Sequence, residues 1–88
     1  MLQTKATQSS AAVKTGPGAL AGVLLTAGAD QASVTIYDNT AGSGTKLAVL
    51  KAAANTTASW TPTDPQVCST GLYAEITGTT PDVFVLYI

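Results

Sequence analysis

Apolar and polar residues alternate with a period of two along much of this chain, in short runs separated by turn residues. Residues 32–37, ASVTIY, place Ala32, Val34 and Ile36 on one face and Ser33, Thr35 and Tyr37 on the other. That is the signature of a half-buried strand. Residues 72–77, LYAEIT, repeat it, with Leu72, Ala74 and Ile76 inward and Tyr73, Glu75 and Thr77 outward. Residues 46–51, KLAVLK, set Leu47 and Val49 against Ala48 and Leu50, and residues 56–61, TTASWT, read as a short strand carrying Trp60. Residues 19–26 are an apolar run of strand length. Residues 83–88, VFVLYI, depart from the pattern: Val83, Val85 and Tyr87 share one face, Phe84, Leu86 and Ile88 the other, and both are apolar. Such a strand is either central between two packed layers or covered by a partner. Its position at the C-terminal end of the chain suggests a terminus tied into structure.

The punctuation between these runs is that of turns. Gly28-Ala29-Asp30, the loop Asp38–Gly44 (DNTAGSG), Pro62-Thr63-Asp64-Pro65 and Gly78-Thr79-Thr80-Pro81 separate the strands at short, regular intervals. Helix competes for residues 19–27 and 47–54, because Ala and Leu are good helix formers. The surrounding Thr, Val, Ile and Tyr favour an all-β fold, a small antiparallel β-sandwich or barrel. Residues 1–15, MLQTKATQSSAAVKT, are small and polar and read as a loose N-terminal arm, either flexible or ordered on a neighbouring subunit. Gly16-Pro17-Gly18 then opens a single β domain over residues 16–88.

Composition narrows the chemistry. The 88 residues include no His and no Arg, one Cys, four Lys and five Asp or Glu, for a net charge of −1. General acid–base catalysis relies most often on His, and Ser or Thr nucleophiles need a base beside them. None is marked here, so no enzyme is expected. Asp30, Asp38, Asp64 and Asp82 fall in turns and Glu75 on an outward strand face, which explains them without a carboxylate pair. Asp38 and Asn39 offer hard oxygens to Ca²⁺ but lack EF-hand spacing, and Cys68 has no cationic neighbour in sequence to activate it. No cofactor or metal is expected. The scarcity of cations argues against nucleic acid. No apolar run reaches a membrane span or a signal-peptide core. A core built mostly from Ala and Val is thin, at about 25 cal/mol per Å² of apolar area buried. With no internal disulfide available, self-association is the remaining source of stability.

The ordered string Gly16-Pro17-Gly18-Ala19-Leu20, Val34–Thr40 (VTIYDNT), Ser43–Leu47 (SGTKL), Thr70–Tyr73 (TGLY) and Pro81–Val85 (PDVFV) resembles small proteins encoded among tailed-bacteriophage virion genes, in particular capsid decoration (cement) proteins. The resemblance covers roughly residues 15–88. It implies a β-sandwich-like domain, often trimeric, on the outer surface of a phage head, where it clamps neighbouring major capsid proteins. It supplies no catalytic residues. The expected protein is therefore a virion structural component, made in the host cytoplasm, whose partners are itself and the major capsid protein. Phe84, Leu86 and Ile88 are the candidate subunit interface, and Leu2, Lys5 and Val13 in the arm the candidate contacts to shell or neighbour. Two other readings stay open. One is a carbohydrate-binding or fibre-type adhesin domain using Tyr37 and Trp60 as a glycan platform. The other is a neck or tail-tube component.

Overall fold

A computed structural model describes residues 2–79 and 81–88. Its elements are all strands: β1 Gln3–Thr7, β2 Ala11–Thr15, β3 Gly18–Thr26, β4 Ala32–Asp38, β5 Thr45–Ala52, β6 Thr57–Trp60, β7 Gln66–Cys68, β8 Gly71–Thr77 and β9 Asp82–Tyr87. They form two antiparallel sheets. Sheet A has the order β1-β9-β3-β6, with β7 also paired to β3, and sheet B has the order β2-β8-β4-β5. The molecule measures 35 × 25 × 18 Å, the last dimension being that of two packed sheets with their side chains.

The pairing is nested. β1 pairs with β9, β2 with β8, β3 with β6 and β7, and β4 with β5. This is one long antiparallel ribbon. It closes on itself through two further pairings, β3 with β9 and β4 with β8. Counting β6 and β7 as one interrupted strand, the result is the eight-stranded double-sheet arrangement of a jelly roll. Trp60 and Gln66 flank the interruption, which holds Pro62 and Pro65, residues that lack a ladder donor and are confined to edges.

The strands seen in the sequence are present, and apart from β5 their inner residues are those expected. Val34, Ile36, Leu72, Ala74, Val83 and Val85 are fully buried, joined by Leu20, Val23 and Leu25 of β3 and by Cys68. Trp60 and Tyr87 pack at the margin of this aliphatic core. Both runs that competed as helices are strands. Their Ala and Leu residues lie between partners on both sides in β3 and along an edge in β5, so pairing overrides local propensity. In β5 a bulge opposite Ile36 and Tyr37 lets Leu47 pack on the core beside Ala48, while Val49 is exposed. At the β7–β8 turn an atom added at Gly71 would lie 2.6 Å from the Lys14 carbonyl oxygen, so only glycine lets β2 and β8 approach there.

The N-terminal segment departs from expectation. Residues 3–7 and 11–15 are strands of this same domain, one in each sheet, and no loose arm precedes residue 16 among the described residues. The signal in the sequence was weak because these are edge strands. β1 has no fully buried side chain, and β2 buries only Val13, which lies at a bulge between Ala12 and Lys14. Hydrogen bonding to β9 and β8, rather than apolar content, holds them.

Replacing Ile36 by Ala should lower the unfolding free energy by about 2–5 kcal/mol, the cost of a cavity in an aliphatic core. Val49→Ala on the exposed face should change it by less than about 0.5 kcal/mol. Urea denaturation of both variants checks the assignment of inner and outer faces.

Candidate functional site

The two outer faces of the sandwich differ in chemistry. Residues directly opposite one another in antiparallel strands point to the same side. On sheet B the outward rows are Ser33 with Thr77 and Lys51, Thr35 with Glu75 and Val49, and Tyr37 with Tyr73 and Lys46. This is a polar and charged surface. Ser33 faces Lys51 across the strands, but its hydroxyl bonds that of Thr77, and Lys51 is exposed. A cleft of about 590 Å³ beside this row is lined by Gln31, Ser33, Lys51 and Thr77 together with Ala32, Ala52, Ala53 and Gly78.

On sheet A the outward rows are uncharged and largely apolar, with Thr4 and Ser59 as their polar members. Phe84 lies between Ala6 and Leu24, and Leu86 between Thr4 and Gly22. Ile88 exchanges two backbone hydrogen bonds with Ala19, at 3.1 and 2.9 Å, and Ala19 is in turn opposite Val67. Phe84 is 42% exposed, Ile88 45% and Val67 79%. No charged residue occurs in these three rows. The first charge is Asp82, at the end of β9, where its carboxylate accepts a hydrogen bond from the Gln8 amide at 2.9 Å. The last strand therefore presents its second apolar face to the outside: β9 is central within its sheet, and among the described residues no element is laid over its outward side chains.

The residues singled out from the sequence divide accordingly. Phe84, Leu86 and Ile88 come together on one surface. Leu2 is exposed just before β1, and continuing the β1–β9 register places it opposite Ile88. Val13 does not join them. It is part of the core, so the expectation that it contacts a shell or neighbour is corrected. Lys5 lies opposite Val85, on the inner side of edge strand β1, and is half-buried. Tyr37 and Trp60 form no common platform. Tyr37 is on sheet B and buried, and Trp60 is on sheet A opposite the inward-facing Val23, packed on the core. Trp60 is a core anchor because its strand places it on the inner face. Leu24, Ala6 and Val67 were missed as members of the apolar surface, since only the pairing of strands distant in sequence brings them beside Phe84 and Ile88.

Asp38 has a structural task. Its carboxylate accepts backbone N–H bonds from Thr70 at 2.9 Å, from Ser69 at 3.1 Å and from Gly71 at 3.4 Å, together with the Ser69 hydroxyl at 3.2 Å. Successive N–H groups form an anion-binding concavity, here filled by the protein's own carboxylate. The Thr70 and then the Ser69 amides lower the Asp38 pKa from its ordinary value of 3.8, against a smaller opposing effect of desolvation. Both oxygens are engaged in tying the end of β4 to the β7–β8 turn. No cluster of three or more His, Cys, Asp or Glu exists among the described residues.

No family model, curated protein or solved structure matches this chain.

Because Asp38 titrates lower in the folded state, its stabilising effect is fully present above the unfolded value and is lost as pH falls through the folded one. Wild-type protein should lose thermal stability on acidification below pH about 4 more steeply than Asp38→Asn, which should already melt lower at neutral pH. Melting curves of the two proteins across that range test it.

Proposed function

We propose that this protein is a non-enzymatic structural component of a tailed-phage virion. In this reading it is a capsid decoration protein that sits on the outer surface of the head as a homo-oligomer, a trimer by the resemblance, and stabilises contacts between major capsid proteins. The observation that carries the reading is the division of the two outer faces. One sheet is uncharged and mostly apolar over three rows, with Thr4 and Ser59 the polar members, and the opposite sheet is polar and carries Lys46, Lys51 and Glu75. A domain with this polarity has one side suited to burial in an assembly and one suited to water. The ordered motif string from Gly16 to Val85 supports the virion setting, and the jelly-roll topology supports it more weakly, since viral capsid and lectin domains share that architecture and fold alone does not define function.

The mechanism is additive burial. A small contact on each copy is weak alone, but many copies held on one lattice raise the effective concentration of every contact. No bond is made or broken. The protein works by occupying seams and by making separation of the shell subunits expose apolar area.

Purified protein added to heads that lack it should sediment with them at a fixed copy number per shell. It should also raise the temperature at which the heads release DNA. Heads that neither bind the protein nor gain thermal resistance would overturn the reading.

A further inference from the structure

We infer that Asp82, with the ring of Phe84 beside it, receives an arginine side chain of the shell protein when the outer face of sheet A is covered. The inference rests on the decoration reading for the identity of the partner, and it names the chemistry that the partner must bring.

Asp82 is the first ionised side chain beyond the uncharged rows. It stands at the start of β9 opposite Thr26, two residues before Phe84. The two side chains therefore leave the strand on the same side, from Cα atoms about 6.6 Å apart. The carboxylate is held in place, because its Oδ1 accepts a hydrogen bond from the Gln8 amide at 2.9 Å. A depression of about 480 Å³ opens at this point, with the Thr7–Ser9 turn, Asp82 and Phe84 among its walls. An aromatic ring and an oriented carboxylate thus share one concave site at the margin of the face.

A partner seated on Phe84 also comes over Asp82. Gln8 is neutral, so its amide satisfies an oxygen and leaves the charge uncompensated. A carboxylate that loses water without gaining a cation opposes the contact, and truncation or absence of its partner is what makes such a charge costly. This chain does not supply the cation. It has no Arg, and its four lysines lie elsewhere: Lys5 is turned to the inner side of β1, Lys14 is on β2, and Lys46 and Lys51 are on the outer side of sheet B. A second copy seated by the same face brings none either. The cation comes from a different protein, which in the decoration reading is the major capsid protein.

Phe84 decides between the two kinds of cation. A guanidinium is planar and weakly hydrated, and it can lie flat on an aromatic ring while its N–H fork bonds a carboxylate. An ammonium is a strongly hydrated point charge and gains less from the ring. The contact also sets the direction of seating. The three rows beside it carry no charge, so Asp82 at one end distinguishes one orientation on the shell from its reverse.

Two measurements separate the site from its setting. Asp82→Asn keeps the oxygen that Gln8 binds and removes the charge, and Glu75→Gln makes the same charge change on the outer face of sheet B. In the first measurement, N-acetyl-arginine amide is titrated into the free full-length protein and followed by amide NMR. It should give saturable shifts at Gln8, Asp82 and Phe84, which N-acetyl-lysine amide reproduces more weakly and Asp82→Asn abolishes. In the second, heads lacking the protein are mixed with each variant. Asp82→Asn should bind about tenfold more weakly than wild type, and Glu75→Gln as wild type. Arginine amide that leaves those three residues unmoved, or moves them equally in Asp82→Asn, overturns the inference. So does a neutral saccharide that shifts them where arginine amide does not. Heads that bind Asp82→Asn as tightly as wild type also overturn it, and the decoration reading then stands without the cation. If arginine amide binds at Asp82 but the wild-type protein ignores heads, the cation site stands and the decoration reading fails.

Discussion

A strand that is apolar at every position has apolar residues on two faces, and a two-layer protein can cover only one of them. β9 sits at the centre of this conflict. It is hydrogen-bonded to β1 on one side and β3 on the other, so it cannot move to an edge, and the two-residue period then decides the rest. Val83 and Val85 enter the core, while Phe84, Leu86 and Ile88 emerge beside Ala6, Leu24 and Val67. The surface is thus a consequence of topology and alternation together. The same residues on an edge strand would make a narrow stripe; in the middle of four strands they make a face.

Much of this architecture is written locally. The alternation of residues 32–37 and 72–77, the apolar run of 19–26 and the Gly, Asp and Pro punctuation are short-range signals, and a strand or turn follows from each. The doubly apolar β9 also signalled its own unusual environment. What was hidden in the sequence depends on pairing across long separations. β1 and β2 carry too little apolar content to announce themselves, and they become strands because β9 and β8 supply free ladder groups beside them. Trp60 reads from the sequence as a glycan contact only in the alternative that pairs it with Tyr37, and the β3–β6 register turns it inward. Val13 looked like part of a loose segment, and a bulge seats it in the core. Asp38 read as one more loop carboxylate, and only the approach of residues 69–71, some thirty positions on, reveals the amides that it binds.

The candidate surface was half legible for the same reason. Its β9 members stand at alternate positions in one run, so they could be named together. The flanking members come from β1, β3 and β7, and their membership is a matter of register. A one-residue slip in any of these pairings would exchange inner and outer side chains and dissolve the patch. The buried Leu20, Val23 and Leu25 of β3 oppose such a slip, since it would move them to the outside. The core therefore defines the outer surface as firmly as it defines the interior.

The distribution of charge bears on the kind of assembly that this domain can join. Pairing of one sheet edge with the opposite edge of the next copy repeats head to tail, and a repeating contact that does not close produces filaments. Lysines on β1, β2 and β5 and prolines in the break between β6 and β7 stand at each place where such growth would start. Face packing has a natural limit, because once the face is covered no equivalent surface remains. A small domain with a core of modest side chains gains from burying more area, and it is exposed to uncontrolled growth if it does so through its edges. Lysines on three edges, prolines in the fourth and the absence of charge from one face set that face apart from the edges as a surface for burial.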